Sequence, residues 1–119
     1  MGVNGGLGSI MAVHSSSPNS LTAAVLTDVY TCPASRNVRI SVVFANRTAV
    51  ATTIRLAAAA DDAADHVSQY ILYDTPLAAN GTITIDDISI QEGGIIRAWA
   101  AAAGVSVNVF VNELGAAFI

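Results

Sequence analysis

Val105-Ser106-Val107-Asn108-Val109-Phe110-Val111-Asn112 carries valine at every second position, with mostly polar residues between. A period of two puts the four valines on one face of a strand, and β-branched side chains suit a half-buried pleated surface. The same alternation recurs upstream. Over residues 38–45, Val38, Ile40, Val42 and Phe44 are expected inward, and Arg39 and Ser41 outward. Over residues 52–57, Ile54 and Leu56 face in and Arg55 faces out. Residues 82–90 alternate through Ile83, Ile85, Ile88 and Ile90, but the phase slips across Asp86-Asp87, which predicts a β-bulge or bend there.

Further strands are expected over 25–31, 66–73 and 95–101, with Asp74-Thr75-Pro76 ending the second of these. Turns fall at 34–37, 46–48, 80–81 and 92–94, and residues 58–65 read as a loop or at most one helical turn. Short strands with a turn about every 8–12 residues predict an all-β domain, an antiparallel β-sandwich of jelly-roll type with seven to eight strands. Its core is expected to hold Val105, Val107, Val109, Val111, Ile40, Val42, Ile54 and Leu56. Residues 1–20 are rich in Gly and Ser and read as an extended N-terminal arm, in which Leu7, Ile10, Met11 and Val13 can still lie along a sheet edge or a neighbour. Residues 21–119 form the sandwich domain and end in a short apolar tail from Leu114.

Composition narrows the function classes. The chain of 119 residues is long enough for one core without covalent staples. The single Cys32 excludes an intrachain disulfide and, just before Pro33, reads as a small packed hydrophobe. The Gly-rich start lacks the pattern of a secretory signal, and its opening Met-Gly lacks the Ser or Thr that myristoylation needs at position 6. No stretch reads as membrane-spanning. Nine acidic residues face five arginines and no lysine, for a net charge of −4 with no basic run, which argues against a nucleic-acid partner. Hydrophobic content is 53 % and charged content 12 %, against about 25 % charged in ordinary soluble domains. Part of that apolar surface is expected to be covered by other subunits.

Catalytic chemistry is scarce. The only histidines are His14 and His66, and His14 beside Ser15 lies in the arm, where a nucleophile and base would lack rigid placement. No Gly-x-Ser-x-Gly or nucleotide-binding loop is present. Asp61, Asp62, Asp65 and His66 form the one ligand-like cluster, read as an exposed acidic loop in preference to a cation site. Asp86-Asp87 reads as a solvated bulge. Asn46-Arg47-Thr48 and Asn80-Gly81-Thr82 match the glycosylation pattern but read as turns. Trp99, Tyr70 and Tyr73 could stack a sugar ring, although a lone Trp on an alternating strand is expected in a core or interface. No catalytic residue, metal ligand or cofactor is therefore assigned.

One resemblance covers most of the chain, over residues 21–113. Tyr30-Thr31-Cys32-Pro33-Ala34, then Ile40-Ser41-Val42-Val43-Phe44-Ala45-Asn46-Arg47 and Thr52-Thr53-Ile54-Arg55-Leu56-Ala57, resembles a pattern recurrent in small virion proteins of tailed bacteriophages. Tyr70-Ile71-Leu72-Tyr73-Asp74-Thr75-Pro76 through Thr82 and the valine-rich closing strand continue it. The shared elements are a Tyr-Thr-x-Pro-Ala opener, an Asn-Arg turn and a Tyr-Asp-x-Pro turn. The resemblance implies a β-sandwich assembled with copies of itself or with the capsid or tail, and it brings no catalytic residues. The expectation is thus a non-enzymatic virion protein that decorates or cements the capsid exterior, with a tail, neck or fibre component, or a sugar-binding attachment module, as alternatives. Its expected partners are itself, as a dimer or trimer, and the major capsid protein or tail proteins, with neither membrane nor nucleic acid. Leu7, Ile10, Met11, Leu114, Phe118 and Ile119 are the expected interface residues.

Overall fold

The computed structural model describes residues 13–15, 19–60 and 63–113. Among the described residues nine strands follow one another: β1 Val13–Ser15, β2 Asn19–Ser20, β3 Thr27–Thr31, β4 Asn37–Asn46, β5 Thr52–Ala59, β6 Tyr70–Leu77, β7 Thr82–Gln91, β8 Ile95–Ala100 and β9 Val105–Glu113. They make two antiparallel sheets. In the first the order is β1-β9-β4-β7, with the short β2 beside β1 on the same edge of β9; in the second it is β3-β8-β5-β6.

The pairing has a simple logic. Strands from the two halves of the chain meet in reverse order: β1 and β2 with β9, β3 with β8, β4 with β7, and β5 with β6. The chain is thus one long antiparallel ribbon whose tip is the loop 60–69. The ribbon is rolled so that β4 also meets β9 and β5 meets β8. This winding is the jelly roll, with β1 and β2 standing as two pieces of its first strand. Both pieces belong to the segment read as an arm.

The alternation in the sequence is the alternation in the structure. Val105, Val107, Val109 and Val111 are at most 1 % exposed; across the β9–β4 ladder Val107, Val109 and Val111 face Phe44, Val42 and Ile40, and Val105 faces Asn46. The second sheet contributes Ile54, Leu56, Ile96, Ala98 and Ala100 to the same core. Cys32 is buried there too, its thiol 3.5 Å from the Arg36 carbonyl. The expected bulge is present: Ile40 faces Ile88 and Val42 faces Ile85, so β7 holds one extra residue, and Asp87 takes φ 61.

Two expectations are corrected. Asp74-Thr75-Pro76 does not end its strand, because β6 runs on to Leu77. Edge position permits this: β6 has a neighbour on one side only, so the missing N–H of Pro76 need leave no ladder bond unmade. Asp74 is the extra residue of a second bulge, with φ 52. His66 begins no strand either. It caps a 3₁₀ turn, Val67–Gln69, accepting from the Ser68 N–H on Nδ1 at 3.1 Å.

The loops gather at the two ends of the roll. At one end the loops 47–51, 78–81 and 101–104 are joined by backbone hydrogen bonds from Asn80 to Thr48, Asn46 to Gly81 and Arg47 to Gly104. The loop 21–26 joins them through the bond from Ala24 to Ala100. Asn46, 3 % exposed, sits beneath them. Its amide nitrogen donates to the Val50 and Ala78 carbonyls, and its oxygen accepts from the Thr48 N–H and hydroxyl. Gly104 has φ +96, and a Cβ there would collide with the Thr48 methyl. At the other end, the Cys32 and Gly94 backbones join loop 32–36 to loop 92–94.

Candidate functional site

A group of polar and aromatic side chains lies on the outer face of the second sheet. Arg55, on β5, points outward as its alternation requires. Its guanidinium lies 4.1 Å from the Trp99 ring centre on β8 and 4.2 Å from that of Tyr73 on β6. Trp99 is the register partner of Arg55. The β6 bulge does the rest. An ordinary strand would send Tyr73 and Asp74 to opposite faces, but the left-handed backbone at Asp74 lets both reach Arg55. Asp74 Oδ1 accepts from Arg55 Nε at 2.6 Å. That hydrogen bond raises the Arg55 pKa above its ordinary value, reinforced by the charge of Asp74.

Tyr70 extends the group. Its ring meets Tyr73 edge-on at 5.0 Å, and its hydroxyl donates to Asp65 at 3.0 Å. Partial burial raises the Tyr70 pKa, and the bond to Asp65 adds to it. Beside this group, Arg97 Nε donates to Asp28 at 3.0 Å, and Arg97 Nη1 is buried with no hydrogen-bond partner. Trp99 therefore belongs to neither the core nor a bare platform. It is half-buried on the outer face with one ring face against Arg55, as is one face of Tyr73.

This arrangement is suited to cohesion more than to chemistry. Arg55 is held between two rings and a carboxylate, an arrangement that ties three strands together. Nothing in it is a nucleophile paired with a base. The arginines are similarly engaged elsewhere: Arg39 lies 4.0 Å from Asp87, and Arg47 donates to the Ser20 hydroxyl at 2.7 Å. They form no cationic track that would follow a phosphate backbone.

The ligand-like cluster is resolved in part. Asp61 and Asp62 lie outside the described residues. Asp65 accepts from Tyr70 and His66 caps its turn. Among the described residues no three His, Cys, Asp or Glu side chains are placed to share a metal ion. A cleft of about 300 Å³ at the same end is lined by Ala58, Ala59, Ser89, Gln91, Glu92 and Gly94 among others, with no histidine or cysteine in its wall. His14 is placed by its backbone, paired with Val111. Asn46 cannot serve as a glycan acceptor in this fold, because its amide is buried and already donates to two carbonyls. Asn80 holds a turn at φ 56. The expected interface residues Leu7, Ile10, Met11, Leu114, Phe118 and Ile119 lie outside the described residues.

The sequence carried two usable signals for the Arg55 group. Arg55 stands between the inward Ile54 and Leu56, and Trp99 between the small inward Ala98 and Ala100. Together they place a cation and a ring on one outer face. Compared with known proteins, the chain matches no family and no curated protein.

Proposed function

We propose that the protein is a non-enzymatic structural component of a bacteriophage virion, a decoration or cement protein on the outside of the capsid. The observation that carries the reading is the placement of the chain ends. Val13 pairs with Asn112, so the first and last described strands bring their outer ends side by side at one corner of the roll. Two apolar-bearing segments leaving one corner suit attachment to a neighbouring subunit. The virion resemblance over residues 21–113 supports the same reading, as does the jelly-roll winding, which recurs in viral capsid domains and is here an argument from analogy. The net charge of −4 suits a surface facing away from packaged DNA.

The test is attachment. Purified protein lacking residues 1–12 should melt at nearly the temperature of the full chain, because β1 and the core remain. It should bind decoration-free particles at least about tenfold more weakly, a loss of roughly 1.4 kcal/mol. Equal binding by the two forms would contradict the reading. The sugar-binding alternative rests on the exposed ring of Tyr73, but Arg55 covers one face of that ring and one face of Trp99. A tail, neck or fibre position differs from the capsid reading in copy number.

A further inference from the structure

We propose that Asn80 is a deamidation site gated by the fold: the closed loops hold it unreactive, and opening of the loop end exposes it to a one-way conversion to aspartate or isoaspartate. Asn80-Gly81 is one of two Asn-Gly pairs in the chain, the other being Asn4-Gly5, outside the described residues. Asn80 is exposed in the connection between β6 and β7. The turn itself calls for this pair. The Gly81 N–H donates to the Ala78 carbonyl at 2.9 Å, and Asn80 has φ 56, a left-handed backbone that asparagine accepts more readily than most residues. A Cβ at Gly81 would lie 3.0 Å from the Ala78 oxygen, so a larger residue fits there only if the turn shifts.

The same pair carries its own chemistry. Once deprotonated, the Gly81 backbone nitrogen can attack the side-chain carbonyl carbon of Asn80. A bond from that nitrogen to Cγ forms, the Cγ–Nδ2 bond breaks, and ammonia leaves. Water then opens the cyclic imide at either carbonyl, giving aspartate or isoaspartate. Glycine favours the attack because it has no Cβ beside the nucleophile. The fold opposes it at three points. The Gly81 proton is engaged by the Ala78 carbonyl, the Asn80 N–H donates to the Thr48 carbonyl at 2.9 Å, and the Gly81 carbonyl accepts from the Asn46 N–H at 2.9 Å. Ring closure requires rotation about the Asn80 Cα–C bond, which withdraws the Gly81 N–H from Ala78. The buried Asn46 ties the turn from beneath: its side-chain amide donates to the Ala78 carbonyl at 3.2 Å, and its oxygen accepts from the Thr48 hydroxyl at 2.8 Å. Asn46 is thus a positioning residue for the lock, and the reaction waits on local opening. Isoaspartate adds a methylene to the main chain of the turn, and either product puts a carboxylate among the loops 21–26, 47–51, 78–81 and 101–104, whose sequences contain no acidic residue.

The gate does not depend on the virion reading. Peptide mapping by mass spectrometry, on the full chain incubated at mildly alkaline pH, follows Asn80 separately from Asn4. Asn80 should convert at least about tenfold more slowly in the folded chain than in the same chain unfolded in urea, because the folded rate is limited by the population of the open form. Asn46→Ala should raise the folded-state rate at Asn80 and leave the rate in urea unchanged. Thr48→Val keeps the branched shape and removes the hydroxyl bond to Asn46; it should raise the folded-state rate by less, and it serves where Asn46→Ala does not fold. Equal rates in the folded and unfolded wild type overturn the proposal. So does a folded Thr48→Val or Asn46→Ala chain whose Asn80 reacts no faster than that of the wild type.

Discussion

Tyr70 illustrates how single side chains on this molecule are held by partners close in the chain but outside their own alternation. Its phenol is partly buried and bonded to Asp65, and both effects raise its pKa above the ordinary value of about 10. A raised pKa means the folded state holds the phenolic proton more tightly than the unfolded chain does. The associated stability is present below the unfolded pKa and is lost as pH rises through the folded one. Urea midpoints should therefore fall more steeply above about pH 10 in the wild type than in Tyr70→Phe, while near neutrality the variant loses no more than about 1 kcal/mol. Parallel curves would remove Tyr70 from the account. None of this was legible from residues 65 and 70 alone. Asp65 and His66 looked like ligands because they are adjacent in a loop, but one accepts from Tyr70 and the other caps a turn. Asn46 was legible as a turn residue, though not as the buried post beneath three loops.

At the scale of the strand, alternation carried the reading. All eight residues expected in the core are buried, because a period of two leaves only one face available for four β-branched side chains. Val107→Ala should cost about 1–3 kcal/mol in equilibrium unfolding, and a near-zero effect would mean that β9 packs by its other face. The Asp86-Asp87 bulge was readable because it breaks an isoleucine rhythm. The Asp74 bulge was not, because Pro76 nearby looks like a strand terminator. Proline ends a central strand but is tolerated on an edge, and edge position is a property of the sheet order. The edges share a feature. β3, β6 and β7 each carry a register shift, and the remaining edge is broken into β1 and β2. Interrupted edges resist strand-to-strand addition.

The whole molecule is a rolled ribbon with two unlike ends. At one, Val13 and Asn112 lie side by side, and the loops there hold Asp65 and Glu92; the other presents alanine and valine. Composition shows low charge and high apolar content but not this division. It could not be seen along the chain, because the four Ala/Val loops are separated by whole strands and meet only through the winding. On the proposed reading, the domain is a shell component present wherever the lattice repeats. The copy number in purified particles, measured by quantitative mass spectrometry against the major capsid protein, tests this most directly. A capsid decoration protein should be present in hundreds of copies per particle; a handful per particle, or none, would contradict it.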